Sequence, residues 1–327
     1  MVLQDRGRLF CESAEVCSCQ RRDKLYCALT SGDFAFSDLK VGKLLGSGGF
    51  GSVYEASYRG ERMALKRLHK ETKNERAARE SFEAETSALN FAHPNIVRTF
   101  TLFTIQDTNC VLMEYAGDRN LLNVIYDPSE ALTNERRTKF AVDIARGLDY
   151  AHAKGIAHLD LKPGNVLVGA NDHCKLADFG CCQAIEENHK PASPTKSNLT
   201  GTYAYRAPEL LRGETPSTKA DIYSYGICLW QMLTRERPYG NENQHVVIFG
   251  VVAYQLRPRI ARDMSDDDGQ YVCLVQQCWE ADHRLRPATG DILIRLYQSQ
   301  GFQVECKDLS SSSRRCRARK SLNLCCS

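Results

Sequence analysis

The chain has 327 residues, of which 43% are hydrophobic and 25% are charged, as is typical of a globular protein with a sizeable core. Its longest apolar run, residues 246–254, is about half of the roughly 18 residues that a membrane-spanning helix needs. The charged N-terminus also lacks the apolar core of a signal peptide. Composition therefore predicts an intracellular protein without a membrane span.

Charge and cysteine content further limit the partners and the kinds of site that this protein is expected to have. The net charge is +3, and residues 305–327 hold six basic and two acidic side chains, which leaves the rest of the chain close to neutral. Residues 301–327 are therefore predicted to be a disordered, basic, Ser-rich tail, and no nucleic-acid partner is expected. The 15 cysteines are scattered without a C-x-x-C pair, so we expect reduced thiols and no zinc site.

The first third of the chain predicts a flexible leader and then a sheet. Residues 1–36 show no sustained periodicity. From Leu39 a strand-like stretch enters a glycine cluster and resumes at Ser52, which predicts a β-hairpin. The charged segment 71–90 places Phe82 and Leu89 on one helical face and predicts a helix. Further strands are predicted over residues 62–68, 96–104 and 110–115.

Helical patterns dominate after Gly117. One apolar stripe predicts an amphipathic helix that ends near Gly155, and its members recur at three- and four-residue spacing: Phe140, Ile144, Leu148 and Ala151. Later helices are predicted over residues 219–234, 270–279 and 290–298. The order of elements predicts an α+β domain over residues 37–300. It has a small β-rich lobe over 37–115, a larger helical lobe over 117–300, and a cleft between them.

A glycine-rich string in the hairpin is the first candidate binding element. It reads Gly46-x-Gly48-x-Phe50-Gly51-x-Val53. Glycines of this kind let the backbone approach a polyphosphate and direct N–H groups at it. A lone string of this type also occurs in dinucleotide folds and in ordinary hairpin turns. A strand rather than a helix follows it here, which disfavours the dinucleotide reading.

A lysine in the next strand is the second candidate. In Met63-Ala64-Leu65-Lys66 the lysine alternates with apolar residues, so we expect Lys66 and the small Ala64 to face the cleft. The alternative is a solvent-facing lysine on an edge strand. The helix that follows favours the first reading, because Glu85 can hold the lysine against phosphates. Glu83 is a second possible partner, but Glu85 lies nearer the apolar face.

Two further strings point to phosphoryl transfer. The first runs from His158 to Asn165 and reads His-Leu-Asp-Leu-Lys-Pro-Gly-Asn, and the second is Asp178-Phe179-Gly180. We predict Asp160 as the base that orients an attacking hydroxyl and Lys162 as a contact to the moving phosphoryl group. Asn165 and Asp178 supply the oxygen ligands that Mg²⁺ prefers. Gly180 is expected to let the backbone turn sharply after Asp178.

A structural ion pair is predicted downstream. Ala207-Pro208-Glu209 closes the segment that begins at Asp178. Glu209 is expected to pair with Arg286 in the interior of the helical lobe, where it supports the fold and not the chemistry.

Together these strings make residues 39–296 resemble a eukaryotic protein kinase. Asp160-Leu161-Lys162-Pro163 and Gly201-Thr202 are similar to the serine/threonine class, in which the lysine and the threonine flank the base. The resemblance implies ATP and Mg²⁺ as cofactors, and adenine held between apolar side chains with Met113 at the back of the pocket. The residues it implies for nucleotide binding are Leu45, Gly46, Ser47, Gly48, Gly49, Phe50, Gly51, Ser52, Val53, Ala64, Lys66, Glu114, Ala116 and Leu167.

Further strings make the resemblance narrower. The segments 158–163, 178–181, 201–203 and 206–211 are similar to the Mos kinases of germ cells, and so are 219–224, 229–232 and 251–258, which lie outside the chemistry. This resemblance implies a cytoplasmic enzyme that phosphorylates MAP kinase kinase in oocyte maturation and meiotic arrest.

Two alternatives remain at this point. Raf-like and mixed-lineage kinases also act upstream in MAP kinase cascades, but they tend to carry arginine where Leu159 stands here. A pseudokinase usually lacks at least one of the residues that this chain retains, namely Lys66, Asp160, Asn165 and Asp178. The activation segment is the stretch from Asp178 to Glu209. Because leucine cannot bind a phosphate, Leu159 further implies that activation of the enzyme does not depend on phosphorylation of this segment.

Overall fold

An antiparallel sheet forms the N-terminal lobe of the structure, a computed structural model that describes residues 34–49, 51–69, 75–185, 203–260, 268–300, 302–303 and 319–320. Its five strands lie in the order β1-β2-β3-β5-β4. They are β1 (Leu39–Ser47), β2 (Gly51–Tyr58), β3 (Glu61–Leu68), β4 (Thr99–Ile105) and β5 (Thr108–Glu114). The predicted hairpin and the other predicted strands are thus confirmed, apart from their bounds.

The fourth strand begins later than predicted. Ile96 lies outside β4 and forms a bridge to Leu176 in the helical lobe. It is 1% exposed. Its apolar side chain therefore contributes to the core of the helical lobe and not to the sheet.

One helix accompanies the sheet, α1 (Glu75–Ser87). The prediction placed a helix over residues 71–90, of which 71–74 lie outside the described residues. At the other end, the N–H groups of Ala88 and Leu89 donate to carbonyls three residues back, so the helix tightens into a turn.

Aromatic packing closes the outer face of the sheet. The ring of Phe34 stacks on those of Tyr58 and Phe103, with centroids 5.1 and 4.9 Å apart. Phe36 meets Phe103 edge to face. The last residues of the predicted leader therefore pack against the sheet.

The helical lobe contains seven further helices among the described residues. These are α2 (Leu121–Tyr126), α3 (Asn134–Ala153), α4 (Pro208–Leu211), α5 (Thr218–Thr234), α6 (Gln244–Ala253), α7 (Gly269–Cys278) and α8 (Thr289–Ser299). Short strand pairs join β6 (Ile156–Ala157) to β9 (Gln183–Ala184), and β7 (Val166–Val168) to β8 (Cys174–Leu176). Phe302–Gln303 pairs with Arg319–Lys320. The α+β, two-lobed fold is confirmed.

The centre of this lobe is helix α5. Every residue from Ala220 to Met232 is buried, as expected for a helix that is apolar on all sides. The predicted apolar stripe of α3 is fully buried and packs beside α5. Helix α3 ends two residues before Gly155, whose φ of +70° marks the chain reversal.

Candidate active site

An ion pair and a third charge link the two lobes. The ammonium of Lys66 on β3 lies 2.7 Å from Oε1 of Glu85 on α1, and 2.6 Å from Oδ1 of Asp178 in the helical lobe. Lys66 and Glu85 are buried, whereas the Asp178 side chain keeps 38% of its surface exposed. Glu83 is exposed. The structure therefore places Glu85, and not Glu83, beside the lysine.

These charges shift one another's pKa. Burial opposes the charge of Lys66, but the carboxylates of Asp178 and Glu85 outweigh it and raise the pKa of the lysine above its ordinary value. Burial likewise opposes ionisation of Asp178, and the ammonium of Lys66 lowers the pKa of that carboxyl well below its usual range. Lys66 and Asp178 are therefore both charged at neutral pH.

A loop in the helical lobe holds the predicted base. Lys162 donates to Oδ2 of Asp160 at 2.6 Å, and the amide nitrogen of Asn165 donates to the same oxygen at 2.9 Å. Asn165 also donates to the main-chain carbonyl of Asp160. The amide nitrogen of Asn165 is thus committed to Asp160, which leaves its oxygen Oδ1 as the atom that can bind a cation. The predicted residues Asp160, Lys162 and Asn165 are brought together.

Asp221 anchors this loop from the buried helix α5. Its carboxylate accepts hydrogen bonds from the N–H groups of His158 and Leu159 at 2.8 and 2.7 Å, and lies 2.8 Å from Nε2 of His152. Burial opposes its ionisation, but the hydrogen bond to His152 outweighs that and lowers the pKa of Asp221. Sequence reasoning did not assign this role. The available signal was an acidic residue within an otherwise apolar helix.

The sharp turn lies at Asp178 and not at Gly180. Asp178 has a φ of 65°, in the left-handed region, whereas the φ of Gly180 is not positive. The expectation that Gly180 provides the turn is therefore wrong, and aspartate occupies that region because its short polar side chain tolerates it. Phe179 is buried against His158, with ring centroids 4.7 Å apart.

Main-chain pairing connects the two predicted cation ligands. The N–H of Ala177, the residue before Asp178, donates to the carbonyl of Asn165 at 2.9 Å. One carboxylate and one amide oxygen on adjoining segments are a suitable donor set for a divalent cation. The residues present therefore fit the cation that the resemblance implies.

The glycines of the hairpin fall into two groups. A Cβ atom on Gly46 or Gly49 would meet nothing within 4 Å, and one on Gly48 only the carbonyl oxygen of Gly51 at 4.0 Å. This open space suits a loop that approaches phosphates. At Gly51 a Cβ would lie 2.5 Å from the carbonyl oxygen of Arg67, so this glycine is needed for packing of β2 on β3. Phe50 lies outside the described residues.

The residues predicted around adenine lie on facing elements. Ala64 on β3 is 6% exposed and stands opposite Met113 on β5. Leu45 and Val53, on the paired strands β1 and β2, are partly buried, as is Leu167 on β7. Ser47 and Ser52 face each other where those two strands end, and their hydroxyl oxygens are 3.0 Å apart. These positions fit the roles expected from the resemblance.

The connection between the lobes begins at Glu114. Its N–H donates to the carbonyl of Arg98, and its carboxylate accepts from Lys175 at 2.8 Å. The side chain thus belongs to an ion pair across the lobes, and both it and the main-chain N–H are engaged within the protein. Ala116 follows two residues later and is partly buried. Thr202, predicted to flank the base, lies outside the described residues.

The predicted structural ion pair is confirmed. Arg286 donates from Nη1 and Nη2 to the two carboxylate oxygens of Glu209, at 2.6 and 2.8 Å. Both side chains are buried, at 0% and 2% exposure. Paired charges of this kind secure α4 at the end of the segment that begins at Asp178.

Two cysteines directly follow Gly180. The described cysteines are free thiols. Burial raises the pKa of both the Cys181 and the Cys182 thiols to about 12, so both are protonated at neutral pH.

Among the described helices, none combines the length and the apolar character that crossing a bilayer requires.

Comparisons with known proteins agree with this geometry. The chain matches the family model described as protein kinase domain over residues 39–297. It is 50% identical over 265 residues to the serine/threonine-protein kinase mos of Patiria pectinifera, covering 80% of this chain and 75% of that protein. The corresponding kinase of Xenopus laevis is 44% identical, covering 78% and 74%. The proto-oncogene serine/threonine-protein kinase mos of Mus musculus is 42% identical, covering 74% and 75%.

Proposed function

The chain belongs to the protein kinase family and, within it, to the Mos serine/threonine kinases, and from this premise we propose that it phosphorylates MAP kinase kinase with Mg²⁺-ATP as the phosphoryl donor. The observation that carries the proposal is that two pairs, Lys66 with Asp178 and Asn165 with Asp160, lie on segments joined by the hydrogen bond from the N–H of Ala177 to the carbonyl of Asn165. The proposed setting, the cytoplasm of a maturing or arrested oocyte, follows from the resemblance to Mos kinases.

Each residue near the cleft has a proposed part in the transfer. Lys66, held by Glu85, directs its remaining N–H at the phosphates of the nucleotide. Asn165 and Asp178 would hold Mg²⁺, which would neutralise charge on the phosphates. Asp160 orients the substrate hydroxyl and accepts its proton. Lys162 stabilises the charge of the moving phosphoryl group.

Thr202 is proposed to flank the base and to shape the site for a serine or threonine side chain. No covalent intermediate with the protein is involved, so most of the rate acceleration comes from positioning and from electrostatic stabilisation of the transferred group.

Leu159 supports a kinase that does not require phosphorylation of its activation segment. Its side chain packs against the core of the helical lobe. Leucine also has no group that could bind a phosphate. The segment that follows Asp178 must be held by packing and by pairs such as Glu209–Arg286.

We therefore expect kinase made in bacteria and treated with phosphatase to keep its activity within about twofold, because no phosphate–arginine pair is lost. The measurement compares initial rates with and without active phosphatase, with heat-killed phosphatase as the control. Ser193, Ser197 and Thr200 are modulatory sites at most in this proposal, and they lie outside the described residues. A rate that collapses on treatment and returns on rephosphorylation would contradict it.

An exposed apolar helix supports a folded protein as substrate. Helix α6 has no acidic or basic side chain apart from His245, yet Val246 and Phe249 are 55% and 61% exposed. Tyr254, just beyond the helix, is 75% exposed and meets Phe249 edge to face. Apolar side chains clustered in this way typically mark an interaction surface. The helix packs against α4 and the turn Tyr203–Tyr205, close to where the activation segment ends.

We expect efficient phosphorylation of intact MAP kinase kinase on serine or threonine in its activation segment, and much weaker phosphorylation of the isolated peptide, because a folded substrate is also recognised by area. Phe249→Ala should lower kcat/KM for the intact substrate about tenfold and leave the peptide rate unchanged. The matched control is Leu285→Ala, which truncates a side chain that is 69% exposed outside α6.

A cellular readout completes this test. Expressed in resting oocytes, the active chain should raise MAP kinase phosphorylation, and Lys66→Met should not. If the chain phosphorylates generic basic proteins but leaves MAP kinase kinase untouched, the substrate assignment fails and only the serine/threonine kinase activity stands.

A further inference from the structure

Ser81 lies where helix α1 faces the Asp178–Phe179–Gly180 segment. It stands four residues before Glu85, so the two side chains project from the same face of the helix. The residue is 3% exposed, and its hydroxyl oxygen has no hydrogen-bond partner in the part of the chain that the structure describes. A buried hydroxyl without a partner is costly, so its presence at this position requires an explanation.

The hydroxyl of Ser81 fills the space beside Gly180. A Cβ atom on Gly180 would lie closer to Ser81 Oγ than the 3.0 Å that real Cβ atoms respect. The next nearest atoms would be Oδ1 of Asp178 at 3.3 Å and Nζ of Lys66 at 3.6 Å. Because the φ of Gly180 is not positive, the backbone there would accept alanine. Glycine at 180 is thus explained by the approach of Ser81 and not by the turn.

Two more contacts join α1 to the same segment. Lys66 bridges Glu85 to Asp178, and the thiol of Cys182 donates to the carbonyl of Ala84 at 3.2 Å. The first of these contacts depends on charge, and the second is a hydrogen bond donated by a thiol to a carbonyl oxygen. The contact of Ser81 with Gly180 is steric, and close-packed interiors transmit changes of a single heavy atom.

We propose that Ser81 is a positioning residue for Asp178. By packing its hydroxyl oxygen against Gly180, it sets the distance between α1 and the Asp178–Phe179–Gly180 segment. It thereby keeps the carboxylate of Asp178 within reach of Lys66 and of the divalent cation. The inference rests on the role proposed above for Asp178. The inference implies that a methyl group on residue 180 is tolerated when the hydroxyl oxygen of Ser81 is removed, but not when that oxygen is present.

Four variants test the inference: Gly180→Ala, Ser81→Ala, the double variant, and Gly180→Ala combined with Thr86→Ala as the matched control. Thr86 is an exposed hydroxyl residue on the same helix. The added methyl group should displace Asp178 by about 1 Å, so Gly180→Ala should lower kcat about 100-fold and raise the Mg²⁺ concentration that gives half-maximal activity. Ser81→Ala in the same chain should restore at least tenfold in kcat and return the Mg²⁺ requirement towards wild type.

Turnover is measured on a generic basic protein, so that a wrong assignment of MAP kinase kinase does not affect the result. An inactive wild-type chain would instead refute the proposed function itself. If Gly180→Ala unfolds, the same rescue is measured as the midpoint of thermal unfolding. The inference is overturned if Gly180→Ala matches wild type, if Ser81→Ala restores nothing, or if Thr86→Ala restores as much.

Discussion

Asp178→Asn is expected to abolish phosphoryl transfer and to leave the fold intact. Asparagine tolerates the left-handed backbone that Asp178 adopts, with a φ of 65°, so no strain is introduced. It loses the charge that is proposed to bind Mg²⁺ and that pairs with Lys66 at 2.6 Å. Losing a metal ligand of this kind should cost about 4 kcal/mol of transition-state stabilisation, or roughly 1000-fold in kcat.

The measurement is kcat at saturating Mg²⁺-ATP, together with the midpoint of thermal unfolding. Asp38→Asn provides a control with closely matched exposure, because the Asp38 side chain is 37% exposed and that of Asp178 is 38% exposed. Asp38 pairs with Arg59 at the surface, where an ion pair contributes at most about 1 kcal/mol to stability. Near-normal turnover in Asp178→Asn would remove Asp178 from the proposed cation site.

Lys66→Met and Glu85→Gln should each cripple turnover, and the double variant should be little worse than Lys66→Met alone. The two residues act as one unit across a 2.7 Å ion pair, and losses within such a unit are not additive. We expect a loss of about 100-fold or more in kcat/KM for Lys66→Met. Glu83→Gln, at an exposed position on the same helix, should have turnover close to wild type.

Stability should separate these variants in a second way. Lys66→Met leaves the buried carboxylate of Glu85 without its partner, which typically costs about 3–5 kcal/mol. Glu85→Gln leaves Lys66 paired with Asp178. The midpoint of thermal unfolding should therefore fall most in Lys66→Met and recover in part in the double variant. Additive losses of turnover would show that Glu85 is not the functional partner.

Short strings of the sequence were enough to indicate the chemistry of the site. Asp160, Lys162 and Asn165 lie on a single loop. Their proximity in space could therefore be predicted from the sequence, because residues so close along the chain can share one hydrogen-bonded turn. The string Asp178-Phe179-Gly180 could likewise be recognised locally. Periodicity was also sufficient for the two-lobed α+β fold, since an apolar stripe has to be buried whatever packs against it.

Other features were visible in the sequence but could not be interpreted from it. The acidic residue Asp221 sits in an apolar helix, yet its partners are main-chain groups about 60 residues earlier in the chain. The sequence of the apolar run 246–254 did not indicate whether this run is buried in the core or exposed at the surface. A buried strand and an exposed docking helix can share such a composition, and only the neighbouring elements show that Phe249 faces outward.

What the sequence alone determined is therefore the class of enzyme and the two-lobed architecture, and it also supplied the candidate reacting groups. The tertiary structure decided which groups meet. Lys66 and Asp178 are 112 residues apart in the chain. The packing of α1 buries Glu85 beside Lys66 and leaves Glu83 exposed. The tertiary structure also showed that glycine at position 180 is explained by the close approach of the Ser81 hydroxyl and not by a sharp turn of the backbone. These contacts join distant segments, so they depend on how whole elements pack and not on local spacing.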